Sequence, residues 1–239
     1  MIEIRNASKR INTRQVVNDL SLTVKKGGIF GFLGPNGAGK TTTMKMLVGL
    51  NEPTSGEILI DGASPSEGAA RETIGFMPEA PYFYDQLTGL EFMQFCADLF
   101  RSRSRTRAEC LELLSLVDLF DAAHRPISQY SKGMKQRLGF AQALINDPEY
   151  LFLDEPLDGL DPIGRRAMKR IMRDLKEKGK TIFFNSHILF DTEELCDEIG
   201  VLHHGSLLYT GPVRDFARGI PLEEAFVAAI ESAESTVAL

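Results

Sequence analysis

Gly34-Pro35-Asn36-Gly37-Ala38-Gly39-Lys40-Thr41 decides how the rest of this chain is read. It fits the spacing G-x-x-x-x-G-K-[ST], with the apolar run Ile29 to Leu33 before it and a helix-forming run through Thr41 to Leu50 after it. That context is a physical requirement. Backbone N–H groups of a Gly-rich turn curl around a phosphate, and the helix that follows adds the positive end of its dipole. Gly34, Pro35, Asn36, Gly37, Ala38 and Gly39 are the expected cradle, and Thr42 continues the start of the helix. Lys40 is placed to reach the β- and γ-phosphates of a nucleoside triphosphate, and the Thr41 hydroxyl to hold Mg²⁺.

Such a loop needs an acidic partner at the end of a neighbouring buried strand. Tyr150-Leu151-Phe152-Leu153-Asp154-Glu155 supplies an apolar run followed by two carboxylates. Asp154 is expected to anchor Mg²⁺ through water, and Glu155 to act as the general base that polarises an attacking water. Taken alone, two carboxylates after a strand read equally well as a helix-capping turn; the phosphate loop tips the balance.

Short strands are expected around the loop at Ile2 to Ile4, Val16 to Val24 and Glu57 to Ile60, the last before an Asp61-Gly62 turn. From about Glu79 to Asp147 the period becomes helical. Thr88-Gly89-Leu90-Glu91 has the form of a capping box opening a helix to about Phe100, and helices follow over Ala108 to Leu116 and Ser131 to Ile145. The basic run Arg101 to Arg107 between them reads as a solvated connection. Beyond Tyr150 to Leu153, Asp161-Pro162 starts a helix that Gly179 ends. Thr181 to Phe184 is an apolar strand, and Val201 to Tyr209 a hairpin turning at Gly205. Apolar strands followed by helices imply a mainly parallel sheet covered on both faces, an α/β core with a helical lobe beside it.

Composition narrows the function. A net charge of −6 argues against a nucleic-acid carrier. Cys96, Cys110 and Cys196 are odd in number and too far apart for a zinc site, which fits free thiols in a reducing compartment. No apolar run approaches the length that spans a bilayer, so any crossing of a membrane is expected from another chain.

Tyr130-Ser131-Lys132-Gly133-Met134, followed by Lys135-Gln136-Arg137, narrows the class of phosphate-loop protein. The stretch resembles the signature of the ABC ATPases, with Ser131 and Gly133 matching its usual form LSGGQ and Tyr130, Lys132 and Met134 departing from it. Gly159-Leu160-Asp161 looks like the loop that crosses between subunits, and Ser186-His187 like the switch histidine that meets the γ-phosphate.

The resemblance implies one ATPase domain over 1–239: a P-loop core, an N-terminal antiparallel β portion, a helical lobe at about 80–148 and a C-terminal helical tail at about 212–239. It implies ATP hydrolysis with Mg²⁺, with Lys40, Glu155 and His187 catalytic, and Thr41, Asp154 and Glu79 at the metal. Ser131 and Gly133 would act on the nucleotide of a second copy, or of a paralogous ATPase subunit, in a head-to-tail dimer. A transmembrane permease subunit would dock on the lobe near Glu79 to Asp85, placing the chain in the cytoplasm, peripheral on the cytoplasmic face of the membrane, with no nucleic-acid partner. Ile11 falls where relatives stack an aromatic ring on adenine, and Glu79 where many carry Gln. Glu79, with the signature variant, Pro81 to Glu91 and the tail Leu222 to Phe226, is similar to the drug- and antibiotic-export branch. The alternative is a soluble ABC-type ATPase acting on nucleic acid or ribosomes.

Overall fold

The computed structural model describes residues 1–100 and 105–237. Its centre is a six-stranded sheet in the order β5 (Ile74–Met77), β6 (Tyr150–Asp154), β7 (Thr181–Asn185), β3 (Ile29–Leu33), β8 (Glu198–His203), β9 (Ser206–Pro212). All neighbours are parallel except β8 and β9, which form an antiparallel hairpin. The turn at His204-Gly205 has both residues at positive φ, the geometry that matches strand twist in a tight hairpin.

Every residue of β3, β6 and β7 is buried, because both faces of the sheet are covered. Side chains alternate between two cores with the period of the strand. Ile29, Leu151, Leu153, Ile182 and Phe184 face one core, shared with the helical lobe. Phe30, Phe32, Tyr150, Phe152 and Phe183 face the other, against helix α1 (Lys40–Leu47) and a second sheet. That second sheet is antiparallel, ordered β2 (Arg14–Val24), β1 (Ile2–Ile11), β4 (Ser55–Ile60).

The lobe packs α3 (Gly89–Asp98), α4 (Arg107–Leu116) and α5 (Lys132–Ala143) together. Thr88 and Thr106 each close a full capping box, with Glu91 and Glu109 returning a bond to the cap backbone. Helix α6 (Pro162–Glu177) opens with Asp161 accepting from the Gly164 N–H at 2.9 Å.

Several bounds differ from the sequence reading. Strand β1 runs to Ile11 rather than stopping at Ile4, because β2 and β4 pair with it across register shifts that no local periodicity announces. Strand β5 and helix α2 (Gly68–Glu72) escape that reading; four residues of edge strand carry too little pattern. In the basic run, Arg101 to Ser104 lie outside the described residues, but Arg105 is no solvated linker. Its guanidinium donates to the carbonyls of Ile145 at 2.6 Å and Leu144 at 3.3 Å, just beyond the C-terminus of α5. A cation there complements the negative end of the helix dipole, sharing the Leu144 carbonyl with the Asp147 N–H. Beyond β7 come α7 (Leu189–Leu195), which precedes β8, and then α8 (Val213–Ala217) and α9 (Leu222–Val237) after the hairpin. Among the described residues no helix is long and apolar enough to cross a membrane.

Candidate functional site

The loop between β3 and α1 is a turn that only glycine permits at its ends. A Cβ on Gly34 would lie 2.3 Å from the carbonyl oxygen of Leu202, and Gly39 sits at φ +110°, where a Cβ would meet the Val16 carbonyl at 2.7 Å. The chain therefore threads between β2 and the β8–β9 hairpin. Hydrogen bonds hold it there: Gly205 N–H donates to Ala38 O at 2.9 Å, and Asn18 N–H to Gly205 O at 2.8 Å. Helix α1 begins its bonding with Thr43 N–H to Gly39 O, so the N–H groups of Lys40, Thr41 and Thr42 have no acceptor within the helix. They end in a cleft of about 370 Å³ lined by Arg14, Val16, Asn36, Gly37, Gly39, Lys40, Thr41, Thr42, Glu79, Asp154 and Glu155.

Lys40 turns its ammonium back onto its own loop, donating to Gly34 O at 2.6 Å and Pro35 O at 3.1 Å. Burial lowers its pKa, while Glu155, Asp154 and Glu79 pull the other way. The lysine is thus a half-buried cation among three carboxylates, a charge balance that an incoming polyphosphate would invert.

Asp154 ends β6 and is almost wholly buried; its Oδ1 accepts from Asn185 Nδ2 at 3.0 Å. The sequence reading expected these carboxylates on the strand next to the loop, but β6 does not neighbour β3. Strand β7 lies between them, so its end, Asn185 to His187, stands between the loop and the two carboxylates. Thr41, Asp154 and Glu79 share the cleft as oxygen donors of one hydroxyl and two carboxylates. That set fits Mg²⁺, a hard ion that takes one or two carboxylates beside its waters. Glu79 is exposed and lies just beyond β5.

Glu155 has the most unusual backbone in the site. Its φ is +52°, a left-handed conformation that costs a side-chain-bearing residue roughly 1–2 kcal/mol. The turn aims the carboxylate at His187: Oε2 accepts from the His187 backbone N–H at 3.2 Å and lies 2.8 Å from Nδ1. With Glu155 ionised, Nδ1 carries the proton and Nε2 is left as the ring acceptor. Burial raises the Glu155 pKa, and His187 and Lys40 hold part of that rise back. A carboxylate made more basic, with Oε2 committed to His187, suits proton abstraction from water through its other oxygen.

The other expected site residues fall elsewhere. Ser131 caps α5, accepting the Met134 N–H at 3.2 Å. Neither it nor Gly133 lines the cleft. Gly133 packs toward Gly159, whose carbonyl would lie 3.4 Å from an added Cβ, and Lys132 pairs with Asp158 at 2.7 Å. The two stretches the sequence marked separately thus form one exposed corner. Ile11 is 44% exposed at the end of β1 and outside the cleft lining, which instead includes Arg14 and Val16 on β2. Sequence reasoning missed these two, because position along the chain gives no view of the hairpin that carries them. It also passed over Asn185 and Gln136, whose amides hold Asp154 and the Glu155 carbonyl.

Residues 17–158 match the family described as ABC transporter. The chain is 50% identical over 194 residues to an uncharacterised ABC transporter ATP-binding protein of a Nostoc species, covering 80% of this chain and 58% of that protein. It is 44% identical over 194 residues to a fluoroquinolones export ATP-binding protein of Mycobacterium tuberculosis, covering 80% and 64%. The chain therefore spans between half and two thirds of the length of these relatives. Among solved structures, a dimeric bacterial ABC transporter cassette superposes with a TM-score of 0.83 at 26% identity, over 90% of this chain and 99% of that one.

Proposed function

The chain belongs to the ABC transporter family as an ATP-binding subunit, and from that premise we propose that it hydrolyses ATP to power a separate transmembrane permease, in the direction of export. The observation that carries the chemistry is Glu155: a carboxylate made more basic by burial, held in a left-handed turn, bonded to His187 and facing the phosphate-loop cleft.

In this reading the N–H groups of Lys40 to Thr42 take the β- and γ-phosphates, and the Lys40 ammonium leaves the carbonyls of Gly34 and Pro35 for phosphate oxygens. Mg²⁺, held by Thr41, Asp154 and Glu79, would neutralise charge that develops on the phosphates. Glu155 takes a proton from water as the water oxygen bonds to the γ-phosphorus. The bond from that phosphorus to the β-γ bridging oxygen breaks, giving ADP and phosphate. His187 keeps the Glu155 carboxylate in line through its ring and its backbone N–H.

Ser131 and Gly133 lie outside the cleft of their own chain, which supports a head-to-tail pair in which each copy, or a paralogous subunit, completes the other's site. Tyr82, Tyr84 and Phe95 are exposed, by 85%, 50% and 42%, and stack edge to face. Exposed aromatic side chains clustered in this way favour a protein partner. Helix α3, which carries Phe95, also borders a cleft of about 600 Å³ that includes Leu99, Phe100 and Ile74. This is the proposed permease dock, with the chain on the cytoplasmic face of a membrane. Export is supported by the similarity to the fluoroquinolones export protein, together with Glu79 and the signature variant. The whole of 1–239 is taken as one ATPase domain, with the lobe at 80–148 and the tail at 212–239.

Glu155→Gln tests the reading. It is expected to bind ATP and lose roughly 10²- to 10⁴-fold in turnover, the scale of a missing base. Turnover near wild type in the purified variant ends the assignment.

A further inference from the structure

We propose that Gln136 is a positioning residue for Glu155, holding its backbone in the left-handed turn from the far side of the site. The proposal rests on the reading of Glu155 as general base. Gln136 lies on α5, five residues past Ser131, and is only 5% exposed. Its Nε2 donates to the carbonyl of Glu155 at 2.8 Å. The Glu155 N–H in turn donates to Asn185 O at 3.1 Å. The residue with φ of +52° is therefore clamped at both of its backbone polar groups, by β7 on one side and by α5 on the other.

The packing around Gln136 does not by itself call for an amide. The next buried positions on α5 are Leu138, Gly139, Phe140 and Ala141, all apolar, and an apolar side chain of similar length would fill the same space. What glutamine adds is a donor aimed at a carbonyl in an unfavourable turn. Without it, that carbonyl keeps only the longer bond from the Asp158 N–H at 3.2 Å, and the turn is freer to relax toward negative φ. Relaxation would rotate the carboxylate away from His187 Nδ1 and from the cleft. The bond also ties the base to the helix that begins at Ser131, so motion of the lobe reaches Glu155 through one side chain.

The experiment is steady-state ATPase kinetics of Gln136→Met, which keeps length and removes the N–H donors. A fall of about tenfold in kcat with KM for ATP within twofold is expected, because phosphate binding does not involve Gln136. Gln136→Met added to Glu155→Gln is expected to lower the residual rate less than twofold, since a residue acting through Glu155 has nothing left to position. Wild-type kcat in Gln136→Met overturns the proposal, as does an equal loss in both backgrounds or a loss carried by KM. If Gln136→Met does not fold, Gln136→Asn, one methylene short of the carbonyl, is held to the same outcomes. Near wild-type turnover in Glu155→Gln alone defeats the general-base reading, a result distinct from any of these.

Discussion

Two helix N-termini in this molecule offer the same local chemistry and meet different surroundings. Helix α1 opens at Gly39-Lys40 inside a cleft, with Glu79, Asp154 and Glu155 from two other strand ends around it. Helix α5 opens at Ser131-Lys132 on an exposed corner, where Lys132 is tied to Asp158. Both present N–H groups without intrahelical acceptors. The first has three carboxylates around it within one chain; the second has no such wall. An anion site at a helix start is thus a common device, and what surrounds it decides whether it works alone or needs another molecule.

The hardest blow to the first region is Lys40→Ala. It leaves Arg14 as the remaining cation in the cleft lining, against three carboxylates. A loss on the order of 10³ in kcat/KM for ATP is expected, measured by phosphate release.

The second region is broken differently. Gly133→Asp puts a carboxylate in the first turn of α5, where the helix dipole favours it and the fold tolerates a Cβ at 3.4 Å from Gly159 O. It repels an incoming phosphate. Turnover is expected to drop about 10²-fold while ATP still binds at Lys40. Mixing this variant with Lys40→Ala should restore turnover well above either alone, because one composite site then has both intact halves. No recovery on mixing would mean the α5 corner serves its own chain or none.

Glu79 links the first region to the proposed permease dock, since it lines the cleft and precedes the exposed aromatics Tyr82 and Tyr84. Glu79→Ala should lower ATP turnover no more than about tenfold, as one of several oxygen donors, and abolish cargo movement in vesicles holding the cognate permease. Glu79→Gln, with a carbonyl oxygen of similar reach, should retain most of both. Equal losses of turnover and transport in Glu79→Ala would assign it to the chemistry.

The smallest effect concerns stability. Burial raises the Glu155 pKa above its ordinary 4.5. A carboxyl with a raised folded value favours folding while protonated, and that contribution is lost as pH rises through the raised value. Ionised Glu155 therefore weakens the fold at neutral pH. Glu155→Gln should raise Tm at pH 7.5 by up to about 2 °C, with the gain shrinking toward zero as pH falls to about 4.5. An equal or lower Tm at pH 7.5 would show that the bonds to His187 outweigh burial. Turnover of the wild type should fall on the acid side as Glu155 takes up its proton.

The parts whose physics is local are legible in the chain without its fold. The spacing of Gly34, Gly39, Lys40 and Thr41 encodes a turn, a helix start and a phosphate cradle within eight residues. The apolar runs before Lys40 and Asp154 encode buried strands, and Thr88 and Ser131 encode caps, because each depends on neighbours a few residues away. Tertiary structure decided what depends on packing between distant segments. The left-handed turn at Glu155 is invisible in a stretch reading Leu-Asp-Glu-Pro; it exists because Asn185 and Gln136, from two other elements, hold both ends of one residue. Arg14 and Val16 reach the cleft through the β1–β2 hairpin, while Ile11, read as the base contact, stands outside its lining. Insertion of β7 between β3 and β6 brings His187 to Glu155 across 32 residues of chain. Strand order is fixed by which faces can be buried together, and no single segment carries that information.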